Sequence, residues 1–106
     1  MEIVILGWVF TGLLLLLCLA SFAAGRGMIP PNHFFGIRIP PLRRSAAAWR
    51  AGHAAAVLPA LVAFVLSLLC SILGTITPAA SIGSITVFIA GLLWTVLSAI
   101  RAADAA

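Results

Sequence analysis

Three apolar runs, each of roughly the twenty residues that a membrane-crossing helix needs, dominate this chain and contain no charged residue. They extend from about Ile3 to Ala24, Ala54 to Leu73 and Ser81 to Ile100. In hydrocarbon every backbone N–H and C=O must find a partner, and a single continuous run does this only as a helix. Composition agrees: 64% of residues are hydrophobic and 8% charged, whereas a soluble domain carries charge on about a quarter of its residues. The expected fold is an all-α membrane protein. It is one membrane domain over residues 1–106, with three transmembrane helices and a basic, Pro-bracketed cytoplasmic loop between helices 1 and 2. Residues 74–80, Gly-Thr-Ile-Thr-Pro-Ala-Ala, read as a tight turn between antiparallel helices. The first run reads as a retained helix. Ser21 and Ala23 suit a signal peptidase, but Met1-Glu2 carries no positive charge and the run is longer than a signal-peptide core.

Arginine sets the expected orientation. Arg26, Arg38, Arg43, Arg44 and Arg50 lie between the first two runs, the second turn has none, and Arg101 follows the third run. Positive loops stay in the cytoplasm. The N-terminus is therefore expected outside, with loop 25–50 and the C-terminus inside. Arg43, Arg44 and Arg50 are candidate contacts to the phosphates of anionic lipid headgroups. The net charge of +4 flanks membrane runs, so direct nucleic-acid binding is not expected.

Little enzyme chemistry is available. The runs contain no carboxylate, which a proton-coupled transporter would need within the membrane. His33 and His53 are far apart in sequence with no acid near them, a poor metal site. Ser45 and His53 sit two helical turns apart, about 12 Å, too far for a hydrogen bond. Cys18 and Cys70 fall at opposite depths and read as small core residues. No catalytic residue, cofactor or metal is expected. Gly52, Ala56 and Ala60, and likewise Gly91, Thr95 and Ala99, form small-residue stripes suited to close helix approach or to self-association.

The loop has its own organisation. Pro30-Pro31 is expected to stop the first helix, and Pro40-Pro41 to block regular structure again. Between them, Phe34, Phe35, Ile37 and Ile39 suit the headgroup boundary or the mouth of the bundle. Ser45 is a natural N-cap, although position 48 is Ala and cannot complete a capping box. Ser45, Trp49 and His53 follow at four-residue spacing and share a helix face. Trp49 suits either an interfacial belt residue or a ligand platform. His53 either bonds a loop carbonyl at the membrane edge or serves a site. Arg38, between Gly36 and Pro40, needs a fixed partner, and the chain has no acid nearby.

Asn32, Gly36-Ile37-Arg38-Ile39-Pro40, Ser45, Trp49 and His53 together resemble the signature of the SdpI family, N-x3-G-I-R-x-P followed by S-x3-W-x3-H at the start of a membrane helix. The resemblance covers the loop and helix start, 30–53, and the flanking runs. It implies a protein of the bacterial cytoplasmic membrane that protects a producing cell from a secreted peptide toxin, or signals by holding a cytoplasmic regulator at the membrane. It also implies that Asn32, Gly36, Arg38, Pro40, Ser45, Trp49 and His53 form the partner-binding motif. On this reading Gly36–Pro40 folds back on the second helix, Trp49 and His53 brace it, and Asn32 satisfies loop backbone. Two departures stand out. Immunity members tend to have about twice as many spans, and the acidic residues often found after the serine are replaced here by Ala46 and Ala47. The competing expectation is a small accessory subunit of a larger membrane complex, its loop on anionic lipid.

Overall fold

The computed structural model describes residues 2–32 and 36–106. Its order is α1 (Glu2–Gly25), α2 (Pro40–Arg43), α3 (Ala46–Gly74), a 3-10 turn (Pro78–Ala80) and α4 (Ser81–Asp104). No strand occurs among the described residues. Three helices are long and apolar enough to cross a membrane. The second joins the expected span 54–73 to the polar helical entry that precedes it after Ser45, and Pro59 lies inside the helix without ending it. The bundle measures 45 × 21 × 18 Å, longer than the roughly 30 Å hydrocarbon layer, so both ends reach headgroup depth.

Burial is inverted relative to a soluble bundle. Leu16, Leu19, Leu58, Leu69, Ile89 and Leu93 face outward. Besides Trp49 and His53, the inside of α3 includes Gly52, Ala56, Ala60, Ala63, Ser67, Ser71 and Gly74. Lipid is as apolar as leucine, so helices gain by close backbone approach over small residues rather than by hiding large ones. Both predicted stripes lie in these contacts. A Cβ on Gly52 would sit 2.6 Å from Leu42 Cγ and 3.1 Å from the Ala99 carbonyl oxygen. Gly91 faces Ala63, and Gly83 faces Cys70, which sets α3 and α4 antiparallel. Gly25 on Ala54, and Gly7 beside Ser71, set α1 antiparallel to α3. Both cysteines are free.

The end of the bundle away from the arginines is tied by hydroxyls. Thr11 Oγ1 donates to the Gly7 carbonyl at 2.8 Å and lies 2.7 Å from Ser67 Oγ and 2.8 Å from Ser71 Oγ. Ser71 Oγ is also 2.7 Å from Ser84 Oγ, which donates to the Ser67 carbonyl at 2.9 Å. Each of these hydroxyls can donate or accept, so Thr11, Ser67, Ser71 and Ser84 join α1, α3 and α4 in one network. Ser71 Oγ has two hydroxyl neighbours, one on α1 and one on α4. This network was not anticipated from the sequence.

The prolines act differently from expectation. α1 ends before Pro30, in a glycine cap. Gly27 has φ +79°, its N–H bonds the Ala24 carbonyl, and the Met28 N–H bonds the Ala23 carbonyl, the paired pattern of a Schellman motif. Pro40 and Pro41 begin α2 rather than block it, because a first-turn residue has no intrahelical acceptor for the N–H that proline lacks.

Thr11→Val keeps shape but removes the hydroxyl that Ser67 and Ser71 meet on α1. Stability to SDS unfolding in mixed micelles should fall by about 1–2 kcal/mol. Ser71→Ala should cost less, since the Thr11–Ser67 and Ser84–Ser67 contacts survive it; equal losses would show that Ser71 is as central to the network as Thr11. A second pair separates crowding from helix propensity. A Cβ on Gly12 has nothing within 4 Å, whereas one on Gly25 meets the Ala54 backbone at 2.8 Å. Gly12→Ala should raise stability by about 0.5–1 kcal/mol, and Gly25→Ala should lower it.

Candidate functional site

The basic end is closed by the segment between α1 and α3, which is pinned to α3 at several points. Ser45 is the N-cap as expected, its Oγ accepting the Ala48 N–H at 3.0 Å. The cap starts α3 so that Trp49 and His53, one turn apart, both point inward, and both are fully buried. Ser45 itself stays exposed. Trp49 is therefore not a residue of the interfacial belt. Its indole Nε1–H donates to the Ile29 carbonyl at 2.7 Å. His53 Nε2 accepts the Ile37 N–H at 2.8 Å, and Nδ1 lies 2.7 Å from the Trp49 carbonyl oxygen. An acceptor at Nε2 and a carbonyl facing Nδ1 fix one neutral tautomer, with the proton on Nδ1. The two rings meet in a tilted contact, 4.2 Å between centroids and 52° between planes.

Gly36 is the residue this arrangement requires. Its φ is +92°, and a Cβ there would lie 2.8 Å from His53 Nε2 and 3.0 Å from two carbons of the Trp49 ring. Any side chain meets both left-handed strain and a collision with the ring pair. Beyond it Ile37 is buried, Arg38 is exposed, and Ile39 packs at the cluster's edge. Pro40 opens α2, and Leu42, fully buried, fills the gap over Gly52 beside Ala99. Leu42, Ile37, Trp49, Ala24, Ala56, Ala99 and Ala103 belong to one apolar cluster. Asn32 Nδ2 donates to the Pro30 carbonyl at 2.7 Å, a loop-backbone contact of the expected kind. Phe34 and Phe35 lie outside the described residues.

The structure thus gathers Gly36, Trp49 and His53 into direct contact, seats Pro40 and Ser45 as the starts of α2 and α3, and leaves Asn32 and Arg38 nearer the surface. Of the candidate lipid contacts, Arg43 and Arg50 are exposed. Arg44 has protein partners: it pairs with Asp104 at 3.5 Å and donates to the Ala103 carbonyl at the C-terminus of α4. Positive charge there also offsets the exposed carbonyls of the helix end. Sequence reading missed this tie because its partners are remote in the chain. It also missed the roles of Ile29 and Ile37, which act through backbone atoms that side-chain identity does not report.

A bundle of three helices long and apolar enough to cross a membrane, closed at its basic end by a clamped loop, is the class this fold defines. The chain belongs to the SdpI/YfhL protein family, whose family model matches residues 28–101. The match begins just before the Trp49-anchored Ile29 and runs through α4. Comparison with curated proteins and with solved structures returns no match.

Replacing His53 with Phe removes the acceptor of the Ile37 N–H while keeping an aromatic ring over Gly36. Hydrogen–deuterium exchange in detergent should show Ile37 exchanging faster, with α4 unchanged. Trp49→Phe should instead leave the Ile29 carbonyl without its donor, at a cost of about 1–3 kcal/mol. Unaltered exchange at Ile37 in the His53 variant would show that this clasp does not hold the loop.

Proposed function

We propose that this chain is a multi-pass protein of the bacterial cytoplasmic membrane whose clamped basic loop is a partner-binding surface, serving immunity to a secreted peptide toxin or the retention of a cytoplasmic regulator at the membrane. Family membership supports the class, and the distribution of arginine supports a cytoplasmic loop. The observation that carries the reading is the position of Arg38. It is exposed on a segment held immediately before it by the Ile37–His53 bond and after it by the buried Leu42. A guanidinium presented from a fixed backbone loses less freedom on binding than one on a mobile loop, and its fork suits a carboxylate or phosphate on the partner. Asn32, Gly36, Pro40, Ser45, Trp49 and His53 then act by shaping and holding the loop.

A second reading has its own support. The α3–α4 face carries an apolar groove of about 170 Å³ lined by Val62, Ala63, Leu66, Val87, Ala90, Gly91 and Trp94. Such a face suits a helix of a larger membrane complex, for which this chain would be an accessory subunit.

Survival separates the two. Wild type and Arg38→Ala, expressed at matched membrane levels in a sensitive bacterium, are challenged with a secreted membrane-active peptide toxin. Immunity through the loop predicts protection by wild type and survival near the empty-vector control for the variant. Equal protection by both would remove Arg38 from the mechanism. Protection by neither, together with a stoichiometric partner co-purifying in mild detergent, would establish the accessory role instead.

A further inference from the structure

We propose that the seam between the end of α1 and the start of α3 binds one anionic phospholipid, with its phosphate between Arg26 and Arg50 and an acyl chain along Val57. The seam is built by two glycines. Gly25 lies so close to α3 that a Cβ would stand 2.8 Å from the Ala54 backbone, and a Cβ on Gly27 would stand 3.5 Å from Arg50 Cδ. Arg26, between them, is thereby set at the level of Arg50–Ala54. Beside these glycines a groove of about 290 Å³ is lined by Phe22, Gly25, Arg26, Ala54 and Val57. A second groove of about 210 Å³ is bounded in part by Gly27, Trp49 and Arg50. Each groove has one guanidinium in its wall.

Charge and polarity favour an anionic amphiphile. The chain has two acidic residues. Glu2 is at the opposite end of α1, and Asp104 is held by Arg44. Neither lines the two grooves, which therefore carry positive charge with no acidic side chain beside it. Arg26 lies over the Phe22 ring at 5.2 Å, which occupies a face of the guanidinium and leaves its in-plane N–H donors for oxygen. A free phosphate would use only this polar rim. The groove continues past Ala54 to Phe22 and Val57, both apolar and one turn deeper, which accommodates a hydrocarbon chain and gives a soluble anion nothing. The site does not depend on the role assigned to Arg38.

The test uses the full chain in mild detergent, titrated with phosphatidylglycerol or phosphatidylcholine and observed by native mass spectrometry. One phosphatidylglycerol should bind in preference to phosphatidylcholine. Arg26→Gln and Arg50→Gln should each weaken it about tenfold, the loss of one charge-assisted contact. Arg101→Gln, at the end of α4, should leave it unchanged. Val57→Trp fills the groove without altering charge and should also weaken it. Millimolar glycerol phosphate should not displace it. Equal binding of the two lipids, an equal loss in Arg101→Gln, full retention in Val57→Trp, or displacement by glycerol phosphate would each overturn the assignment. Circular dichroism and gel filtration of the variants separate loss of binding from loss of fold.

Discussion

Two side chains of α3 bond to backbone that belongs to no helix, and the basic end of the molecule depends on them. Trp49 gives its indole proton to Ile29, and His53 takes the Ile37 amide proton. A connecting segment packed against an apolar bundle exposes N–H and C=O groups that neither lipid nor neighbouring helices can satisfy. Drawing one donor and one acceptor from a single buried helix face solves this locally. The same rings then dictate a glycine at position 36, and the backbone released from Gly36 carries Ile37 inward, Arg38 outward and Leu42 over Gly52. The loop is thus an extension of the core.

The rest of the bundle follows from what is small. Leucine and isoleucine make up most of the outside because the solvent is hydrocarbon, and glycine, alanine and serine predominate inside because close approach is the remaining source of cohesion. This explains how α1, whose composition is nearly uniform around its circumference, still has a defined inner face. Gly7, Thr11, Leu14, Cys18, Ser21 and Ala24 make that face at helical spacing, and the leucines between them are exchangeable in role.

The helices, the Ser45 cap, the inner stripes of α3 and α4 and the shared face of Trp49 and His53 were legible in the sequence, because each rests on composition or on spacing within one helix. What stayed hidden involves atoms or partners that spacing does not reveal. Backbone groups of Ile29 and Ile37 have no sequence signature. Arg44 and Asp104 meet only through the antiparallel return of α4. Serines in helices ordinarily bond their own preceding turn, so Ser67, Ser71 and Ser84 attract notice only when Thr11 is known to face them. Pro40-Pro41 carries both meanings, helix stop and helix start, and the choice depended on whether Leu42 had a place to go.

The hydroxyl of Ser71 has a further consequence. Its two hydroxyl neighbours belong to different helices, and each member of the group can give or take a proton, so α1, α3 and α4 are joined at that level by bonds whose direction can reverse. Reversal needs only the rotation of hydroxyls and moves no heavy atom. At the arginine-rich end the Trp49 indole and the Ile37 amide are donors only, so the bonds they make run in one direction. The two ends are therefore held by different kinds of bond: directed ones to the backbone of the connecting segment, and reversible ones among hydroxyls of the three helices.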